Sequence, residues 1–414
     1  MSLFYKKIKN KITIGYKLFI MRAGRYIKQA SGYKAFIPAT LPPEPPIKLD
    51  SELIKLLSDA TLSLGRLDGV CSILPNPDLF VAMYVRHEAV LSSQIEGTQS
   101  TLEDVLQFEI DAKGQDFPKD IEEVVNYITA LKYGLTRLQE LPLCLRLIRE
   151  IHSKLLAGVR GSHRLPGEFR TSQNWIGSSD GTLNSAVFIP PPVYEMNMAL
   201  DNFEKFLHDD SFPELIHCAI AHAQFETIHP FLDGNGRVGR LLITFLLCQK
   251  GILKRPLLYL SHYLKFYRAE YYDRLMAIRN SGDWESWLKF FLKGIYQVSQ
   301  DGTLTARNIL ELKENHRKIL LKEMSGNTNS LHLLDYLFEH PIINVGMVAK
   351  HLGCVYLTAN KLVENFANLG LLNEISGGQR NRRYAYTPYL ELFEKQMLST
   401  QDISSTQTTE SEEQ

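Results

Sequence analysis

Two apolar helical stretches enclose a polar, glycine-rich loop between Leu215 and Leu247, and this arrangement constrains the fold more than any other feature of the chain. Leu215, Ile216, Ala219, Ile220 and Ala223 recur at helical spacing and mark a buried face ending near Thr227. After the loop, Leu241–Leu247 is apolar on nearly every side, as expected of a helix enclosed by other helices. The loop itself reads His229-Pro-Phe-Leu-Asp-Gly-Asn-Gly-Arg-Val-Gly-Arg240. Gly234–Gly239 formally satisfies GxGxxG, but a dinucleotide fingerprint needs a buried strand before it and an acid about 20 residues beyond. A helix precedes the loop, and no acid occurs in Ile252–Leu260. A Walker A reading fails as well, because no GK[ST] follows.

A second kind of phosphate site remains. A glycine-rich loop running into a helix leaves free backbone N–H groups and a partial positive charge facing one point. Gly234 and Gly236 permit close approach of an anion. Arg237 and Arg240, at i and i+3 in the first turn, lean toward the same pocket. They oppose the helix dipole and need an anion to offset them. His229 is the side chain of the loop whose ordinary pKa suits proton abstraction near neutrality. Asp233 has the chemistry to hold Mg²⁺, which takes one or two carboxylates plus substrate phosphates. The competing reading is a capped helix–loop–helix with a surface histidine.

These residues resemble, without a departure, the motif HPFx[D/E]GNGRxxR of the Fic (filamentation induced by cAMP) family, and the resemblance extends over roughly Tyr33 to Val298. It implies a helical core that transfers AMP from ATP to a Ser, Thr or Tyr hydroxyl of a target protein. It implies His229 as the base, Asp233 as the Mg²⁺ ligand, Asn235 and the loop amides on the α-phosphate, and Arg237 and Arg240 on the outer phosphates. The nucleotide-binding set it implies comprises Ser185, Ala186, Val187, Phe188, Asp233, Gly234, Asn235, Gly236, Arg237, Val238, Gly239, Arg240 and Tyr271. The hairpin Asn184–Pro191 resembles the family's flap, which aligns the target as an added strand. Tyr271 resembles the residue lining the adenine pocket. Arg279 stands where some relatives carry Asn.

Upstream, Ser92-Ser-Gln-Ile-Glu-Gly97 resembles the family's inhibitory motif [S/T]xxxE[G/N]. Ser92 and Glu96 share one helical turn, and Gly97 lets the chain turn away. A carboxylate presented to Arg240 would form a charge-assisted pair in the place of the γ-phosphate. Some relatives also use this glutamate to position water for removing AMP, so the direction of the reaction is open.

A chain of 414 residues points to two or three domains. Lys plus Arg and Asp plus Glu each number 46, so net charge gives no argument for nucleic acid or membrane. Five scattered cysteines without a CxxC pair suggest neither a disulfide framework nor a cysteine zinc site, and a reducing cytoplasm fits. No stretch approaches membrane-spanning length. The spacings of His217, His222 and His229 do not place all three on one helix face, and no HExxH occurs.

The expected fold class is all-α with a β-hairpin flap at 169–192 and a C-terminal winged helix-turn-helix. In chain order we expect a flexible basic extension at 1–34, beginning natively at Met1 or Met21, then an N-terminal helical region with the inhibitory motif at 35–118. The catalytic core at 119–298 follows, then a connecting helix at 299–326. Residues 327–396 read as the winged helix and 397–414 as a disordered tail. Thr358, Asn360 and Lys361, with Arg380, Arg382 and Arg383 in the wing, occupy the places for DNA contacts. A dimerisation or target-docking module is the competing reading.

ATP as substrate, Mg²⁺ and a hydroxyl-bearing target protein complete the expectations, with self-modification, a homodimer and DNA binding through 327–396 kept open. The rival functional classes are a DNA-binding regulator or antitoxin-like module that senses nucleotide, an enzyme that both adds and removes AMP, and transfer of UMP, phosphate or phosphocholine.

Overall fold

The computed structural model describes residues 22–72, 77–110, 117–177, 183, 185–377 and 382–393. The segment before residue 22, loop residues 178–182, Asn184 of the flap, Arg380 of the wing and the C-terminal tail lie outside the described residues. The protein is mostly helical, and its chain divides into two compact units. The first takes the residues up to 65 with 85–100 and 118–299, and the second takes 66–84, 101–117 and 300 onward. This differs from the consecutive partition read from the sequence, because segments distant along the chain share a core.

In the first unit, β1 (Gly24–Lys28) and β2 (Lys34–Pro38) pair antiparallel, with Tyr26 opposite Phe36. Their rings meet edge to face at 5.0 Å. The last part of the expected flexible extension is therefore a strand. Its cationic residues hid the alternation, since four of the five β1 positions are exposed.

The helices of this unit wrap α7 (Glu214–Ile228) and α8 (Asn235–Gln249). Every α7 residue after Glu214 is buried. At about 1.5–3 kcal/mol for each large apolar side chain removed from water, this pair supplies much of the core's stability. Packed around it are α4 (Ile121–Arg137), α5 (Leu145–Leu155), α6 (Val193–Leu207) and α10 (Arg268–Ser281). The Trp287 indole, on α11 (Trp284–Glu323), donates to Ala219 O at 2.9 Å. Helix α11 is one unbroken element of 40 residues, so the connecting helix expected at 299–326 continues a helix that begins at Trp284. Neither proline nor a capping signal interrupts it, and Gly302 is accommodated inside it.

Helix α1 (Ser51–Ser72) and helix α2 (Pro77–Ile95) precede the motif Glu96-Gly97, where the chain turns with Gly97 at φ +98°. Among the described residues the flap shows an isolated bridge, in which Ile176 N donates to Phe188 O at 2.8 Å and Phe188 N to Ile176 O at 3.1 Å.

The second unit holds α3 (Leu102–Ile110) and a terminal group in the order α12 (Thr328–Glu339), β3 (Ile342–Asn344), α13 (Val345–Leu352), α14 (Tyr356–Asn368), β4 (Asn373–Glu374) and β5 (Arg383–Ala385). The three helices and the closing hairpin follow the sequence expectation, and β3 is an addition to it. The sheet runs β3–β5–β4, all antiparallel. Asn344 ends β3 and caps α13 by accepting from Met347 N at 2.9 Å.

Candidate active site

The junction of α7 and α8 builds the site. Helix α7 ends at His229, whose backbone is left-handed at φ 49° and ψ 60°. That geometry swings the imidazole out of the helix direction and starts the loop. Asn235 then closes the loop with both ends of its amide: Oδ1 accepts from Phe231 N at 2.8 Å and Nδ2 donates to Phe231 O at 2.8 Å. Its side chain is thereby committed to shaping the cradle, and its backbone N–H is what it has left to offer an anion. Gly234, at φ 76°, turns the chain into α8. The first intrahelical bond runs from Val238 N to Gly234 O, so the N–H groups of Asn235, Gly236 and Arg237 precede it and face outward.

These residues line a cleft of about 360 Å³ together with Glu96, Arg160, His229, Leu232, Asp233 and Gly234. Arg240, one turn deeper, is 2% exposed. Its Nη2 donates to Glu96 Oε1 at 2.7 Å and to Ser92 O at 2.9 Å, and its Nε donates to Ser92 Oγ at 2.8 Å. Burial raises the Glu96 pKa, but the Arg240 charge and hydrogen bond outweigh it and hold the carboxyl below its ordinary value. The Glu96 side chain stays 33% exposed toward solvent. Ser92 and Glu96 thus both contact Arg240.

Arg237 points elsewhere. It is buried against Glu123 on α4, with Nη1 at 3.0 Å from Oε2, and Asp233 lies 3.8 Å from its Nη2. Arg160 also reaches Glu123 at 3.2 Å.

The backbone carbonyl of His229 accepts from Arg170 Nε at 3.0 Å and from Asn174 Nδ2 at 3.2 Å, which fixes the residue while leaving its ring free. Its Nδ1 is buried without a hydrogen-bond partner. Burial, then the charges of Arg279 and Arg170, push the imidazole down to about 3, so it is neutral at physiological pH. A neutral ring keeps the lone pair that a general base requires.

Behind the loop, His152 stacks on Phe231 at 3.7 Å, accepts from Gly167 N at 2.8 Å and donates to Asp233 O at 3.0 Å. Asp233 Oδ1 accepts from Gly234 N at 2.6 Å. Its carboxylate is 39% exposed, and no group of three metal-ligating side chains occurs among the described residues. One open carboxylate beside an anion cradle fits Mg²⁺ held mainly by phosphates and water.

Eight of the thirteen expected nucleotide-binding residues are not among those lining this cleft, and besides Arg240 four of these are buried. Val238 is buried in the helix core, and the Gly239 carbonyl hydrogen-bonds His222 Nδ1 at 2.8 Å. Tyr271 is 1% exposed because its hydroxyl is tied to His222 Nε2 at 2.9 Å, whereas neighbouring Tyr272 is 39% exposed. Phe188 is 1% exposed under Arg279, whose guanidinium carbon lies 3.8 Å from the ring centre. Val187, in contrast, is 68% exposed, and Ser185 is also exposed, with Ala186 half-buried between them. The sequence reading missed Glu123, His152, Arg170 and Asn174, since no local pattern marks them.

Fold and site define a helical domain in which one neutral imidazole stands over a helix-terminal anion cradle. The descriptions Fic/DOC family N-terminal and Fic/DOC family match residues 54–136 and 142–247, so the chain carries both regions characteristic of this family. It is similar to the protein adenylyltransferase Fic of Drosophila virilis, 30% identical over 203 residues that cover 47% of this chain and 38% of the relative. The counterpart of Drosophila melanogaster is 28% identical, with 47% and 37% covered. The chain thus spans less than two fifths of these relatives' lengths. A crystal structure of a Fic family protein from Desulfovibrio desulfuricans G20 shares the fold, with a TM-score of 0.54 and 20% identity over 83% of this chain and 98% of that one.

Proposed function

We propose that the protein transfers AMP from ATP to a hydroxyl side chain of a target protein and is restrained by Glu96. One observation carries this reading: the neutral His229 imidazole shares a cleft with the open N-terminus of α8, and Glu96 occupies the guanidinium of Arg240 beside that terminus. Phosphates seated there would meet the N–H groups of Asn235, Gly236 and Arg237 and the partial positive charge of the helix. Bound Mg²⁺ at Asp233 would neutralise phosphate charge.

In the reaction, His229 takes the hydroxyl proton and the oxygen attacks the α-phosphorus. The bond from that phosphorus to the bridging oxygen breaks, and pyrophosphate leaves. With Glu96 on Arg240, the outer phosphates lose that guanidinium and the α-phosphorus is not aligned. The names of the Drosophila relatives support adenylyl transfer as the group transferred. The test is incorporation of label from ATP into lysate proteins by the Glu96→Gly variant, with His229→Ala as control. No incorporation by Glu96→Gly would overturn the reading.

The same carboxylate supports a second reading, removal of AMP. Only Oε1 of Glu96 is engaged by Arg240, and the side chain is a third open to solvent, which leaves room for it to orient a water.

For residues 327–396 we propose a protein-docking role over DNA contact. Val355, Tyr356 and Leu357 at the start of α14 are 70%, 59% and 80% exposed, and Arg382 is engaged by Glu364, Glu374 and Asn360. A gel shift on duplex DNA that weakens steeply with salt would overturn this.

A further inference from the structure

Glu88, two turns before Glu96 on α2, is 6% exposed and takes no part in the mechanism above. Its Oε1 accepts from the Tyr127 hydroxyl at 3.2 Å and from the Ser261 hydroxyl, and its Oε2 accepts from Ser261 N at 3.2 Å. Ser92 neighbours the buried Tyr127 hydroxyl, and because the Tyr127 hydrogen already goes to Glu88, the hydrogen between these two hydroxyls is that of Ser92. Ser92 Oγ is the atom that receives the Arg240 Nε hydrogen. Every donor therefore points one way, from Arg240 to Ser92, to Tyr127, to Glu88.

Glu88 and Ser92 fall at i and i+4 on one face of α2, and Glu96 follows one residue past its end, in the turn closed by Glu96 N donating to Ser93 O at 3.0 Å. Burial pushes the Glu88 carboxyl up to about 7, and the Ser261 hydrogen bonds and the Arg240 charge oppose that rise. A buried acid with this donor set is costly unless the network is complete.

We propose that Glu88 is a positioning residue which, through Tyr127 and Ser92, holds the Arg240 guanidinium in its phosphate-facing orientation when Glu96 is displaced. This rests on the reading that Arg240 grips the outer phosphates of ATP. Glu96 contacts only the Nη2 end of Arg240, whereas Ser92 holds both Nε and Nη2. Loss of Glu96 leaves the Ser92 anchorage in place, and the relay keeps the Ser92 hydroxyl hydrogen turned away from Arg240 so that its oxygen can accept.

The test compares ATP with AMP, because AMP lacks the outer phosphates. In the Glu96→Gly protein, Tyr127→Phe removes the relay hydroxyl and keeps the ring. The dissociation constant for ATP with Mg²⁺, measured by calorimetry, is expected to rise about tenfold, the worth of one charge-assisted hydrogen bond. That for AMP is expected to stay unchanged. Unchanged ATP affinity, or an equal loss for AMP, would overturn the proposal. Should Tyr127→Phe fail to fold, Glu88→Gln carries the same comparison with the same expectations, since it removes the charge at the end of the relay and keeps its shape. If the Glu96→Gly parent itself binds no ATP, the adenylyl-transfer reading falls first and the inference falls with it.

Discussion

Glu96 Oε1 lies 2.3 Å from the point that a Cβ on Gly236 would occupy. Brake and cradle are fitted to each other across that missing side chain, and a phosphate approaching the same N–H groups needs the same space. Gly236→Ala is therefore expected to expel Glu96 without producing an active protein. Its label incorporation from ATP should stay at or below wild type, and adding Glu96→Gly should not raise it.

Replacing Glu96 itself has the opposite result. The Arg240–Glu96 contact is a charge-assisted bond of roughly 1.5–3 kcal/mol, so Glu96→Gly should raise the initial rate of AMP transfer roughly 10- to 100-fold. The double variant with His229→Ala should show none. Initial rates on one purified acceptor would measure both.

Acidification should leave the brake in place. Arg240 holds the Glu96 pKa below the ordinary 4.5, and a carboxylate with a depressed pKa keeps its ion pair at all pH above that depressed value. The contact is lost only as pH falls through it. The rate ratio of Glu96→Gly to wild type should therefore be constant from about pH 8 to about pH 5.

His229 gives a separate pH signature. Burial first, then Arg279 and Arg170, depress it to about 3, so it stays deprotonated and competent as a base well below 6.5. The rate of the Glu96→Gly protein should show no acid inflection near 6.5. Arg279→Met removes one depressing charge and should move the inflection upward toward neutrality. An inflection near 6.5 in the unsubstituted site would contradict this electrostatic account.

The buried Arg237–Glu123 pair predicts a stability effect. Removing Glu123 leaves a guanidinium that is 2% exposed with Asp233, 3.8 Å away, as its remaining ion-pair partner among the described residues. Glu123→Ala should cost about 3 kcal/mol of unfolding free energy, and Glu123→Leu with Arg237→Met should recover most of it. Chemical denaturation of the three proteins would provide the comparison.

The contiguous part of the site was legible because its chemistry is packed into twelve residues. Glycines, arginines, an acid and an imidazole side by side leave few physical explanations. Glu96 was legible through its partner, since a lone SxxxEG says little until a downstream arginine needs an anion. What could not be read were single residues whose partners are remote: Glu123 is 114 positions from Arg237, His152 is 81 from Asp233, and Arg170 is 59 from His229. Nothing local distinguishes them from ordinary helix or loop residues. That Tyr271 rather than Tyr272 bonds the buried His222 was likewise not legible, because adjacent tyrosines look alike until the partner 49 positions away is placed. The continuity of α11 was obscured by a run of charged residues that changes the helix's environment but not its backbone.

His229 stands at a left-handed backbone position, and that limits which amino acids can occupy it regardless of reactivity. Asparagine, aspartate and histidine visit this region with little strain, while alanine tolerates it less well and β-branched residues hardly at all. An alanine there removes the imidazole and also loosens the hinge on which Arg170 and Asn174 close. Asparagine keeps the hinge and removes only the imidazole, so the difference between the two replacements isolates how much of the proposed activity resides in a proton and how much in the bend of the main chain.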